Sequence, residues 1–185
     1  MNADYRLEFA AVTSDVSRAR AVASDLGGSL YVDEHATGDR SPFRAILTVV
    51  TDDVEPLNAL GENGLYIVCR RPIISGECRV IGLFPLVRHS DLSHRQADAH
   101  WLDVHAPLAL QHIRRMTHYT QLSVVHRISG PEIDGFALCG FDSLDDLRNR
   151  FFSEPDSREV LTADFDCFTD LKRSPRRLIA KEIRY

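Results

Sequence analysis

Five of the eight histidines (His94, His100, His105, His112 and His118) fall within residues 93–119, and the single tryptophan, Trp101, lies among them. An imidazole takes and gives a proton near neutral pH without help from a metal, so such a stretch suits enolisation, lactone isomerisation or elimination of water. His89 and these five are spaced five to seven residues apart. No two stand at the i, i+3 or i, i+4 spacing that puts two ligands on one helix face, so no metal site is expected. His105 is the candidate general acid–base. The alternative is a histidine whose ring nitrogens tie a bent helix end to neighbouring backbone. Tyr119 is the second candidate, a phenol able to donate to a carbonyl oxygen that gains charge. Against this stands a tyrosine packed at a strand end. Trp101 is either core or the aromatic wall of a ligand site.

These residues need a helix to hold them. Ser93 and Gln96 have capping-box spacing, which predicts a helix start there, and Ala97, Trp101, Val104 and Leu108 then recur as one apolar stripe. His105 falls on the shoulder of that stripe, and Trp101, Val104 and Leu108 are expected to wall the site. Pro107 lacks an N–H and crowds the carbonyl four residues back, so the helix should loosen around Val104–His105. No acidic residue follows His105 on its own face within a turn, so partial burial should keep the ring neutral; a carboxylate from another element, such as Asp134, would reverse this. Cys139 lies mid-strand, in line with Ala137 and Phe141, and is either an ordinary buried thiol or part of the pocket.

Around this stretch the chain alternates strands and helices. Strand patterns at 5–12, 29–32, 43–50 and 65–70 enclose helical patterns at 16–26 and 54–60, with a polar hairpin loop over 33–42. The second half repeats the order: strands at 79–87, 117–128, 136–141 and 177–183, the central helix after the first, and helical pieces at 143–152 and 155–170 before the last. The fold class is therefore α+β, with tandem ferredoxin-like βαββαβ units over residues 1–76 and 77–185. One such sheet leaves a face bare, and two faces paired within the chain would close a barrel.

The run Trp101…Val104-His105-Ala106-Pro107-Leu108-Ala109, with Tyr119 beyond it, resembles the signature of the EthD family. The resemblance extends through Asp134-Gly135-Phe136-Ala137, Phe141-Asp142-Ser143-Leu144 and the acidic-aromatic stretch Asp164-Phe165…Phe168, covering roughly residues 79–185. It implies the dimeric α+β barrel, here as a pseudo-dimer, with His105 and Tyr119 as catalytic candidates and a thiol near Cys139 as in methylmuconolactone-isomerase-like relatives. Leu138 stands where many members carry Glu.

The totals narrow the rest. With 185 residues, 44% of them hydrophobic, the chain can bury a sizeable core. A net charge of −5 argues against a nucleic-acid partner, and the one basic run, Lys172-Arg173-Ser174-Pro175-Arg176-Arg177, reads as a solvated turn before the last strand. No signal-peptide pattern, no spanning apolar run and four scattered cysteines suit a soluble cytoplasmic protein with free thiols. The leading expectation is a cofactor-independent isomerase, cyclase or lyase of a small apolar carbonyl compound, a lactone or polyketide-like aromatic, in a degradation or secondary-metabolite pathway. It needs no cofactor and no metal; its partner is a small molecule, and whole chains could pair as a homodimer. Two alternatives stand beside it: a non-catalytic accessory or ligand-binding protein of an oxidative degradation pathway, and a haem-linked barrel.

Overall fold

The computed structural model describes residues 5–35 and 42–185, so most of the expected 33–42 loop lies outside the described residues. The elements run β1 (Arg6–Thr13), α1 (Val16–Leu26), β2 (Ser29–Asp33), β3 (Ala45–Val49), α2 (Glu55–Leu60), β4 (Gly64–Ser75), β5 (Val80–Leu86), α3 (His94–His100), a π-helical turn (Trp101–His105), α4 (Ala106–His112), β6 (His118–Ser129), β7 (Gly135–Phe141), α5 (Leu144–Asn149), α6 (Ser157–Phe165) and β8 (Leu178–Arg184). The eight strands close a barrel in the order β1-β3-β2-β8-β5-β7-β6-β4. Every pairing is antiparallel. Four neighbouring strands come from each half of the chain, and the halves meet at two seams, β2 with β8 and β4 with β6.

The period-two alternation of the strands sorts their side chains to two sides of the barrel wall. Val12, Tyr31, Ile46, Tyr66, Val68, Leu83, Leu122 and Phe136 fill its interior. On the outside, Leu30, Leu47 and Leu65 pack beneath α1 and α2, while Val80, Tyr119, Ala137, Cys139 and Phe141 pack beneath the helices of the second half. Leu138, where the family resemblance has Glu, is fully buried inside the barrel, on the opposite side of the wall from His105.

Local sequence explains the element ends. Asp15 caps α1 by accepting from the Arg18 N–H, and Gly27, at φ +79°, ends it. Strand β4 runs past the expected residue 70 because Pro72, which cannot donate to a ladder, sits at an irregularity in the pairing with β6, between Pro72 and Ile74. Helix α5 stops at Asn149, short of the expected 152, and α6 begins at Ser157, so Phe151 and Phe152 lie in the connection between them.

Candidate functional site

The site lies between the outer face of β5, β6 and β7 and the helices that cover it. Ser93 opens α3 with the expected capping box: its side chain accepts from the Gln96 N–H, and the Gln96 side chain accepts from the Ser93 N–H. At Trp101 the helix changes register. The Ala106 N–H donates to the carbonyl of Trp101, five residues back, and Pro107 then offers no N–H at all. This wider turn carries one extra residue and corrects the expected stripe. Trp101, His105, Ala106 and Ala109 turn inward, whereas Val104 is 48% exposed on the outer side and takes no part in the pocket. Leu108 is half-buried against the helix-layer core but does not reach the cavity wall.

Trp101 packs against Gly135, where a Cβ would come within 2.5 Å of the indole ring. Only glycine permits that approach. The indole N–H donates to the Tyr119 hydroxyl at 3.1 Å, and the Gln121 amide donates to the same hydroxyl at 3.1 Å and to the Trp101 carbonyl at 3.0 Å. With its oxygen accepting twice, the Tyr119 O–H has no acceptor among the hydrogen bonds of the described residues, and the side chain lines the cavity. Burial pushes the phenol above its ordinary range, so it keeps that proton at neutral pH. Outside the indole, the Arg71 guanidinium lies 5.6 Å from the ring centroid and is anchored on Asp98, which also accepts from the Ser123 hydroxyl.

His105 is 9% exposed. Its Nδ1 lies 2.6 Å from one carboxylate oxygen of Asp164, and the other oxygen lies 2.8 Å from Nε2 of His100. Phe165 and Phe168 pack against the His105 ring at 5.4 and 5.3 Å, and His100 stacks on Phe168 at 5.0 Å. The carboxylate that meets His105 is therefore Asp164 of α6. Asp134 is engaged elsewhere, with Arg88 and His94. Burial nevertheless dominates: it lowers the pKa of His105 more than the hydrogen bond and charge of Asp164 raise it, and His100 pushes the same way as burial. The ring is neutral at pH 7. The Asp164 carboxylate accepts from Nδ1–H, which makes Nε2 the basic nitrogen of a ring on the cavity wall.

The cavity itself holds about 230 Å³. Its walls are mostly apolar: Phe84, Trp101, Ala137, Phe151, Phe152 and Phe165, with Tyr119, His105 and Cys139 as the chemically distinct groups. Burial pushes the Cys139 thiol up to about 12, so it lines the pocket as a neutral group and not as a thiolate nucleophile. The structure thus brings Trp101, His105, Tyr119 and Cys139 together and leaves Val104 and Leu108 out. Asp164, His100 and Gln121 were missed as site residues. The stretch Asp164-Phe165…Phe168 was a visible signal for the first of them. Among the described residues no group of three or more His, Cys, Asp or Glu side chains is placed to hold a metal ion. No helix among the described residues is long and apolar enough to cross a membrane.

No protein-family model matches the chain, and no curated protein does. Solved structures do. An anthrone oxidase-like protein superposes with a TM-score of 0.59 at 8% identity, covering 97% of this chain and 92% of its own. A protein of Fusobacterium nucleatum subsp. nucleatum ATCC 25586 named as a monooxygenase gives 0.55 at 9% identity, covering 100% of this chain and 99% of its own. At such identities the likeness establishes the fold, an α+β barrel shared with oxidase-like and monooxygenase-like proteins. It also corrects the expected cofactor-independent isomerase, cyclase or lyase. These two barrels carry oxidative names, and neither carries an isomerase or lyase name.

Proposed function

We propose that this protein binds a flat, hydroxylated aromatic compound in the cavity beneath the π-helical turn and serves the oxidation of that compound. One observation carries the reading: His105, held at Nδ1 by the carboxylate of Asp164, lines an apolar cavity together with Tyr119, whose hydroxyl oxygen already accepts twice. A phenol or an anthrone becomes a far better electron donor once it has lost a proton. His105 takes that proton at Nε2, Asp164 stabilises the imidazolium that forms, and Tyr119 donates to the ligand oxygen on which negative charge settles. With dioxygen as oxidant, an anthrone methylene becomes a carbonyl and the second oxygen atom leaves as water, so His105 returns its proton at the end of the cycle. The similarity to a protein named as anthrone oxidase-like supports this choice of chemistry. The barrel is read as two ferredoxin-like units in tandem, residues 1–76 and 77–185, the second being EthD-like. In favour of this, each half supplies four adjacent strands in the same relative order.

The test is oxygen uptake and quinone absorbance with a hydroxyanthrone in air. The wild-type protein accelerates the oxidation, and His105→Ala lowers the rate by roughly 10²–10⁴-fold with little change in ligand affinity. Binding without acceleration by the wild type would make the protein a non-catalytic ligand carrier of an oxidative pathway.

A further inference from the structure

The basic run before β8 forms the expected turn, with Lys172, Arg173, Arg176 and Arg177 all exposed. Arg173 leaves it to pair with Glu132 at 2.6 Å, and Leu171 folds onto the lip of the cavity. Arg177 does not itself line the cavity but neighbours a residue that does: its guanidinium carbon lies 5.6 Å from the ring centroid of Phe84. No carboxylate of the described residues comes within 4 Å of Arg177. The charges that do bear on it are those of Arg148 and Arg176, both positive and both also without a carboxylate partner among the described residues, and it acts in turn on the Cys139 thiol inside the pocket. Leu147, next to Arg148 in α5, packs over the same strand: a Cβ at Gly82 would touch both Leu147 and Phe84. Arg177 thus stands beside a wall residue of an apolar cavity, with two like charges acting on it and no carboxylate of the described residues paired to it.

We propose that the ligand of this cavity is an aromatic carboxylate, whose rings occupy the apolar pocket and whose carboxylate is held at the rim by Arg177 in a paired, planar contact, with Arg148 and Arg176 adding positive field. This inference rests on the ligand site described above and specifies its substrate class. An arginine guanidinium offers two parallel N–H donors in one plane, which is the geometry a carboxylate accepts. Arg177 is a specificity-determining residue here and stands apart from the proton chemistry of His105.

The test compares two bicyclic probes, 2-naphthoate and the uncharged 2-naphthalenemethanol, by fluorescence titration of the full chain. The expected result is that naphthoate binds about tenfold more tightly, the low end for a charge-assisted hydrogen-bonded pair because the rim is open to water. Arg177→Gln should erase the preference and leave the affinity for the alcohol unchanged, and Arg177→Lys should restore part of it. In the wild type the preference should shrink as salt rises, which reads the same contact without a substitution. Equal affinities for the two probes, or a preference that survives both salt and Arg177→Gln, would overturn the anion subsite while leaving the pocket standing. If neither probe binds, both the subsite and the ligand site fail.

Discussion

Replacing Asp164 by Asn keeps the size of the side chain and removes its charge and one acceptor. In the native structure the carboxylate is 11% exposed and accepts from two imidazoles, at 2.6 Å from His105 and 2.8 Å from His100. Hydrogen bonds to a charged group contribute about 1.5–3 kcal/mol each. An amide oxygen can satisfy one of the two rings, while the other faces an N–H₂ and must change tautomer or lose its bond. The expected cost is one such bond, about 1.5–3 kcal/mol, which in a chain of this size lowers Tm by roughly 3–12 °C. The titration of His105 should move as well. Its pKa already lies below the ordinary value because burial outweighs Asp164, and without the carboxylate it falls further. A histidine with a depressed folded pKa leaves the folded state binding fewer protons than the unfolded chain, so stability drops as pH falls from about 6.5 toward the folded value. In Asp164→Asn that loss continues to lower pH. Thermal unfolding between pH 4 and 8, together with the imidazole C–H resonances of His105, measures both effects. An unchanged Tm with an unmoved His105 titration would refute the assignment of Asp164 as the group that holds the ring.

Gly135→Ala should cost about 1–3 kcal/mol, because its Cβ would lie 2.5 Å from the Trp101 ring; the single tryptophan's emission should shift, and unaltered emission with wild-type stability would contradict the contact. Tyr119→Phe strands the donors of Trp101 and Gln121 in a buried site, so a loss of about 1–3 kcal/mol is expected in denaturant unfolding. Of the four free thiols, Cys167 is exposed and the others are partly or fully buried, with Cys78 pushed up to about 11 and Cys139 to about 12. A disulfide reagent at pH 8 should therefore label one thiol in a fast phase, and Cys167→Ala should remove that phase.

Much of this arrangement was legible in the residues. Alternation along the strands and the capping box at Ser93 located the elements, and Pro107 marked where the central helix would loosen. What a residue-by-residue reading could not supply was the form of the loosening. A bend keeps the stripe Trp101, Val104, Leu108 on one side, whereas a turn hydrogen-bonded five residues back rotates it, and so Val104 went outward while His105 went in. Asp164 was out of reach for a different reason. It lies 59 residues beyond His105, and nothing local to either residue reports that α6 crosses the π-helical turn. The run before β8 is the exposed turn its composition suggests, but charge in sequence could not report that Arg177 stands beside Phe84, a ring from another strand.

The seam between β2 and β8 also bears on how the chain must be made. Strand β8, residues 178–184, is made after the other seven strands of the barrel, and among the described residues it alone joins β2 to β5. Until it emerges, both β2 and β5 present unpaired backbone to the surroundings, and the barrel interior stays open along that line. Closure then depends on a partner about 150 residues away, a contact whose chain entropy must be lost before any of its reward is collected. Nascent chains of this protein therefore pass through a stage with two adhesive edges, and this is the interval in which they are most exposed to pairing with one another or to capture by a chaperone.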